Sequence, residues 1–293
     1  MLHTDMKHIL VTGANGQLGR EMHLLAVDNP SFTYTFTDSH TLDVTDRRAV
    51  MGYVDTHTVD CIVNCAAYTA VDRAEDDPEA CHRVNATAPA CLAEAAEHCG
   101  ASLVHVSTDY VFDGTNCRPY VETDTPNPMT VYGQTKLEGE RRVFEHCTRA
   151  MVIRTSWLYS AHGNNFMNTM LRLGRERSEL GVVCDQVGTP TNARDLAECI
   201  LMVIHRGIVP GTYHFSNEGV CSWYDFAKAI HRLAGITTCR VLPLRTDEYP
   251  TRARRPHYSV LDKTKLKQTY SIGMIPHWED SLEACLKTLN TQE

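Results

Sequence analysis

With 293 residues, a formal net charge of -8 and a pI near 6.0, the chain can hold one large or two modest domains and is too acidic for a nucleic-acid or anionic-membrane surface. Its 12 cysteines sit mostly inside apolar segments without a CxxC pair, and its 15 histidines form neither an HExxH motif nor a Cys/His cluster, which reads as reduced thiols and no metal site. MLHTDMKHIL lacks a long apolar core and no run of about 18 apolar residues occurs, so neither a signal peptide nor a membrane span is expected and the location reads as cytoplasmic.

The first predicted strand, HILVTG, runs into ILVTGANGQLGREM, which places Gly13, Gly16 and Gly19 between a strand and a helix. The first glycine permits a tight turn, the second lets backbone approach a pyrophosphate, and the third lets the helix pack closely. The helix N-terminus adds free N–H donors and positive potential. Taken alone the pattern also fits a plain strand-to-helix turn.

The second strand, YTFTD, ends at Asp38, where a carboxylate reaches ribose hydroxyls and disfavours a 2'-phosphate. This points to NADH over NADPH without settling the choice. LDVTD then offers Asp43 and Val44 to flank an adenine, and CIVNCAAYT ends at the small residues Ala66 and Ala67, leaving room for a cofactor. A long helical segment, EDDPEACHRVNATAPACLAEAAEHCG, follows.

The next strand, LVHVSTDYVF, meets an unusual run of polar residues at Ser107, Thr108, Asp109 and Tyr110. YGQTK opens the helix after it and sets Tyr132 and Lys136 on one face. A nearby ammonium is expected to lower the phenol pKa toward neutrality, and Thr108 can donate to the carbonyl oxygen that Tyr132 protonates. Strand and helix alternate up to MVIRTSWLY, so the fold class is α/β: a doubly wound parallel (Rossmann) sheet.

Beyond it come the helix NFMNTMLRLGRERSE, a strand VVCDQ, the helix RDLAECILMVIHRG, a strand TYHFS, the helix SWYDFAKAIHRLAG, a basic segment YPTRARRPHYS and a last helix around EDSLEACLKTLN. The expected division is a dinucleotide-binding part, residues 1–155 with 190–218, and a smaller, mostly C-terminal substrate part, residues 156–189 with 219–293. Arg252, Arg254 and Arg255 cluster in this segment, and arginine suits bidentate phosphate contacts.

TGANGQLG, STDYVFDG, YGQTK and RTSWLY together resemble the extended short-chain dehydrogenase/reductases and, among them, the dTDP-4-dehydrorhamnose reductase family; AAYTAVDRAEDDPE, GNNFMNTMLRLGRER, DQVGTPT and RRPHYS extend the likeness over nearly the whole chain. The resemblance implies a catalytic triad of Thr108, Tyr132 and Lys136, and cofactor contacts at Gly16, Gln17, Leu18, Asp38, Asp43, Val44, Ala67, Tyr68 and Thr69, with Tyr132 and Lys136 shared. It implies substrate contacts at Thr108, Asp109, Tyr132 and Trp157, and it favours Arg255 among the basic residues.

The implied reaction is reduction of a dTDP-4-keto-6-deoxy sugar by NADPH or NADH, and the oligomeric state stays open, a homodimer included. Related dehydratases carry an Asp-Glu pair after the Thr of the fourth strand; Tyr110 takes the second position here, so the eliminating acid is missing. Some relatives hold a divalent metal between subunits. Glu21 matches one such position, but Arg194 stands where another acid belongs, so no metal is carried over. Two other readings share the fold: a sugar-nucleotide epimerase or reductase of another deoxysugar, and a non-catalytic nucleotide-binding regulatory subunit.

Overall fold

The computed structural model describes residues 6–292; residues 1–5, assigned above to the dinucleotide-binding part, and Glu293 lie outside the described residues. The first half contains β1 (Lys7–Thr12), α1 (Gln17–Asp28), β2 (Phe32–Thr37), α2 (Arg47–Thr56), β3 (Cys61–Asn64), α3 (Val71–Ala74), α4 (Pro78–His82), α5 (Ala88–Cys99), β4 (Ser102–Thr108) and α6 (Val131–His146). The second half contains β5 (Ala150–Thr155), β6 (Leu158–Tyr159), α7 (Phe166–Glu176), β7 (Glu179–Val183), β8 (Val187–Gly188), β9 (Thr191–Asn192), α8 (Ala193–Arg206), β10 (Gly211–His214), β11 (Cys221–Ser222), α9 (Trp223–Leu233), β12 (Arg240–Leu244), α10 (Thr264–Tyr270) and α11 (Trp278–Gln292).

Six strands form one parallel sheet in the order β10-β5-β4-β3-β1-β2. The side-chain period of two sends Ile9, Val11, Val63 and Ile153 to one face, against α1 and α8, and Leu10, Ile62, Leu103 and Val152 to the other, against α2, α5 and α6. Each such buried aliphatic side chain contributes about 1.5–3 kcal/mol relative to exposure. Because the chain leaves β1 for β2 on one side and returns to β3 on the other, the order reverses at β1/β3. A crevice opens there at the carboxyl ends of the strands, where ligands of such sheets bind.

A third apolar cluster lies outside this sheet. It gathers Met167 and Leu171 of α7, Leu180 and Val182 of β7, Phe226 and Ile230 of α9, Val241 of β12 and Leu282 of α11. β7 and β12 pair in parallel, with β11/β8 and β6/β9 as further two-residue pairings. No helix among the described residues is long and apolar enough to cross a membrane.

The long helical segment expected over EDDPEACHRVNATAPACLAEAAEHCG runs without a break from Pro78 to Cys99, as α4, a π-helical turn at Arg83–Thr87 and α5. Pro89 has no N–H to donate to the carbonyl four residues back, that of Asn85. The released carbonyl lies against Gly139 of α6, where a Cβ would stand 2.1 Å away. Asn85 uses its side chain to grip the Tyr68 backbone, its Oδ1 accepting from the Tyr68 N–H at 2.9 Å and its Nδ2 donating to the Tyr68 carbonyl at 3.0 Å.

Candidate active site

The glycine loop is built by steric exclusion. Gly13 has φ +69°, and a Cβ there would stand 2.6 Å from the Ala66 nitrogen; a Cβ on Gly19 would stand 2.4 Å from the Gly13 carbonyl oxygen. β1, α1 and the end of β3 therefore close on one another only through hydrogen atoms. Gly16 caps α1 without any side chain, so the first-turn N–H groups remain available to a ligand. Gln17 is engaged, its Oε1 accepting from Asn165 Nδ2 at 2.9 Å, which ties the loop to the segment before α7.

Asp38 lies at the rim. Its carboxylate accepts from Asn15 Nδ2 at 2.6 Å and from the His40 and Thr41 N–H groups, each at 3.0 Å. The Thr41 backbone and hydroxyl bonds above all hold its pKa below the ordinary Asp value, so it is a carboxylate at neutral pH. Asp43 is exposed and turns inward to Thr45, while Val44 is buried with Val50 and Leu92.

A cleft of about 550 Å³ follows the carboxyl edge of the sheet. It is lined by Gly16, Gln17 and Leu18 at one end, by Ala67 and Thr69 along the side, and by Thr108, Asp109, Tyr132, Lys136, Trp157 and Arg255 beyond them. Gly13, Gly19, Asp38, Asp43, Val44, Ala66 and Tyr68 are not part of this lining. Tyr68 packs near Ala74, Cys81 and Tyr132.

Helix α6 starts at Thr130, whose hydroxyl accepts from the Gly133 N–H at 3.0 Å, while Glu75 accepts from the Val131 N–H at 2.9 Å. Gly133 is needed because a Cβ there would stand 2.2 Å from the Tyr110 carbonyl oxygen. This close approach brings Tyr132 beside Thr108. Burial pushes the Tyr132 phenol above its ordinary pKa, and a hydrogen bond with Thr108 draws it back only in part. The lowering expected from Lys136 is not found: desolvation dominates and keeps the phenol protonated.

Lys136 is itself buried, and desolvation pulls its pKa down to about 8 against the opposing pull of Glu140. Its Nζ donates to the Val106 carbonyl at 2.7 Å, leaving donors for a ligand. Asp109 is 2 % exposed; burial pushes its carboxyl up to about 6, with hydrogen bonds from Ser259 and Thr108 acting the other way. Thr108 Oγ1 donates to Asp109 Oδ1 at 3.0 Å.

Trp157 adopts φ +47°, a left-handed conformation costly for a bulky residue, and its ring presses on Gly188, where a Cβ would stand 2.6 Å from it. The ring stacks on Trp223 of α9 with centroids 3.6 Å apart and 10° between planes. Trp223 also lines the cleft, as does Phe166. Neither carries a sequence signal, since each reads as an ordinary apolar residue at the start of an amphipathic helix.

The three arginines of YPTRARRPHYS separate. Arg255 reaches the cleft, Arg252 pairs with Asp76 and Arg254 is exposed, lying with Pro256 beside Asp113. On the far side of α1, burial raises the Glu21 pKa while Arg194 draws it back, and Arg194 pairs with Glu198 at 3.2 Å. A guanidinium stands where a metal ion needs ligands, and among the described residues no three His, Cys, Asp or Glu are grouped to hold one. These residues do not fit a metal.

Residues 6–291 match the family model described as RmlD substrate binding domain. The chain is 42% identical over 277 residues to dTDP-4-dehydrorhamnose reductase of Aggregatibacter actinomycetemcomitans, covering 91% of this chain and 94% of that one. The chain belongs to the dTDP-4-dehydrorhamnose reductase family. Its fold superposes on the crystal structure of the Clostridium acetobutylicum reductase with a TM-score of 0.93 at 44% identity, covering 97% and 99% of the two chains. It superposes on the Bacillus anthracis reductase in complex with NADP with a TM-score of 0.92 at 39% identity, covering 96% and 99%.

Proposed function

We propose that the protein is a cytoplasmic NADPH- or NADH-dependent oxidoreductase that reduces the C4 ketone of dTDP-6-deoxy-L-lyxo-4-hexulose to dTDP-L-rhamnose. The observation that carries this reading is the meeting of Thr108, Tyr132 and Lys136 in one cleft with the glycine loop, in a chain of the reductase family. The dinucleotide is held by residues 1–155 with 190–218 and the sugar nucleotide by residues 156–189 with 219–293.

When bound, the coenzyme supplies a hydride to the carbonyl carbon. Tyr132 gives its proton to the oxygen as negative charge develops, and its raised pKa suits an acid that must arrive protonated. Thr108 turns its single hydroxyl hydrogen from Asp109 to the same oxygen when the ketone is bound, and Lys136 uses its remaining N–H donors on the nicotinamide ribose. Gln17 and Leu18 offer backbone N–H groups to the pyrophosphate, while Gly16, whose own N–H closes the turn onto the Gly13 carbonyl, lets the backbone approach it. Asp38 faces the adenosine ribose, and Asp43, Val44, Ala67, Tyr68 and Thr69 frame the coenzyme. Asp109 and Trp157 hold the deoxysugar, and Arg255 takes the diphosphate.

The test is coenzyme oxidation on addition of the 4-ketosugar nucleotide, with stoichiometric formation of the rhamnose product. Tightly held coenzyme returned unchanged would indicate an epimerase, and binding without turnover a regulatory subunit. Asp38→Ala is expected to raise the NADPH/NADH ratio of kcat/KM several-fold, since it removes both a 2'-hydroxyl acceptor and the charge that repels a 2'-phosphate. An unchanged ratio would show that Asp38 serves only the turn through Asn15 and Thr41.

A further inference from the structure

We propose that Asp72 and Tyr110 are positioning residues that clamp Arg255 in advance for the diphosphate of the sugar nucleotide, and that Tyr110 ties this clamp to Tyr132. The proposal rests on the reading of Arg255 as the diphosphate contact. Arg255 Nη2 donates to Asp72 Oδ2 at 2.6 Å and Nη1 donates to the Tyr110 hydroxyl at 3.0 Å. The second oxygen of Asp72 accepts from the Ala253 N–H at 3.0 Å, so one carboxylate fixes both the side chain and the segment that delivers it.

Tyr110 is fixed in turn. Its ring meets Tyr132 edge-on, with centroids 5.5 Å apart and 76° between planes, and its carbonyl oxygen lies against Gly133 of α6. A rigid chain of contacts therefore runs from Asp72 through Arg255 and Tyr110 to the proton donor. Two of the five guanidinium N–H groups are used and three remain for phosphate oxygens.

Magnitudes indicate what the clamp is for. The Asp72 and Arg255 side chains are 44% and 27% exposed, and an ion pair so exposed contributes little to stability. Orientation is a different matter. A free arginine loses rotamer freedom when it grips phosphate, and holding it beforehand removes that cost from binding. Tyr110, at the position where related dehydratases carry a glutamate, thus serves the nucleotide arm of the substrate and the packing of Tyr132 at once.

The experiment measures dTDP affinity by calorimetry and steady-state kinetics with the ketosugar nucleotide, in Arg255→Ala, Asp72→Asn, Tyr110→Phe and the double variant Asp72→Asn with Arg255→Ala. Asp72→Asn and Tyr110→Phe are each expected to weaken dTDP binding and raise KM by roughly three- to tenfold, the loss falling in KM rather than kcat. Arg255→Ala weakens dTDP further, and adding Asp72→Asn to it has no additional effect, because the two act through one contact. If Arg255→Ala leaves dTDP affinity intact, the diphosphate reading itself fails. If it weakens dTDP while Asp72→Asn and Tyr110→Phe do not, or if the double variant is additive, that reading stands and the clamp is overturned.

Discussion

A Tyr132→Phe variant is expected to fold and bind coenzyme while losing roughly 10²–10⁴ in kcat, the usual contribution of a positioned general acid. The ring sits 8 % exposed between Tyr110 and the cluster of Ala74 and Cys81, and phenylalanine fills that space. Only the hydroxyl is lost. Burial keeps this phenol protonated through neutral pH, so under the proposed role its proton is in place for the reduction. On the proposed roles Thr108 stays in the variant, and its polarisation of the carbonyl sets the residual rate. Rapid-mixing measurement of coenzyme oxidation at saturating substrate checks the result, and a kcat near that of the unaltered protein would remove Tyr132 from the chemistry.

The central sheet and the glycine loop are legible in the sequence because each signal is local: a short apolar run, then glycines where backbones must touch. Tyr132 and Lys136 are legible in the same way, four residues apart on a helix. Their electrostatics are not. Whether the ammonium or the loss of water dominates depends on β4 and the polar turn after it closing over α6, and that burial comes from contacts distant in sequence.

Other features are hidden for separate reasons. Pro243 inside Arg240–Leu244 argues against a strand, yet among the described residues β12 pairs only with β7, and a two-stranded sheet tolerates a residue that cannot donate. Proline at position 89 is visible in the sequence, but its effect on the Asn85 carbonyl needs Gly139 opposite to make sense. The contact from Arg255 to Tyr110 spans 145 residues, and that from Trp157 to Trp223 joins two helically unrelated segments. No spacing rule reaches either.

Glu140→Ala is expected to destabilise the fold by about 3–5 kcal/mol, the cost of stranding a buried charge. Glu140 of α6 and Arg154 of β5 are 4% and 5% exposed, joined by Nε to Oε1 at 2.9 Å and Nη2 to Oε2 at 2.7 Å. Among the described residues the guanidinium without Glu140 keeps only the Phe112 ring, 5.2 Å from its centre. Urea unfolding reads this loss, and Glu140→Leu combined with Arg154→Met should recover most of it, since an apolar pair of similar volume pays no desolvation. Activity separates a second role. Glu140 lies one turn beyond Lys136 and favours its ammonium, whose pKa burial has already pulled down to about 8. In the unaltered protein kcat/KM should fall as pH rises through that value and Lys136 loses its proton. Removing the Glu140 charge favours the neutral amine further, so the fall moves to lower pH in Glu140→Ala and in the stable double variant alike. If the double variant regains stability but its alkaline limb stays where it was, another group than Lys136 sets that limb; if Glu140→Ala unfolds at the original urea concentration, the ion pair is not what joins α6 to β5.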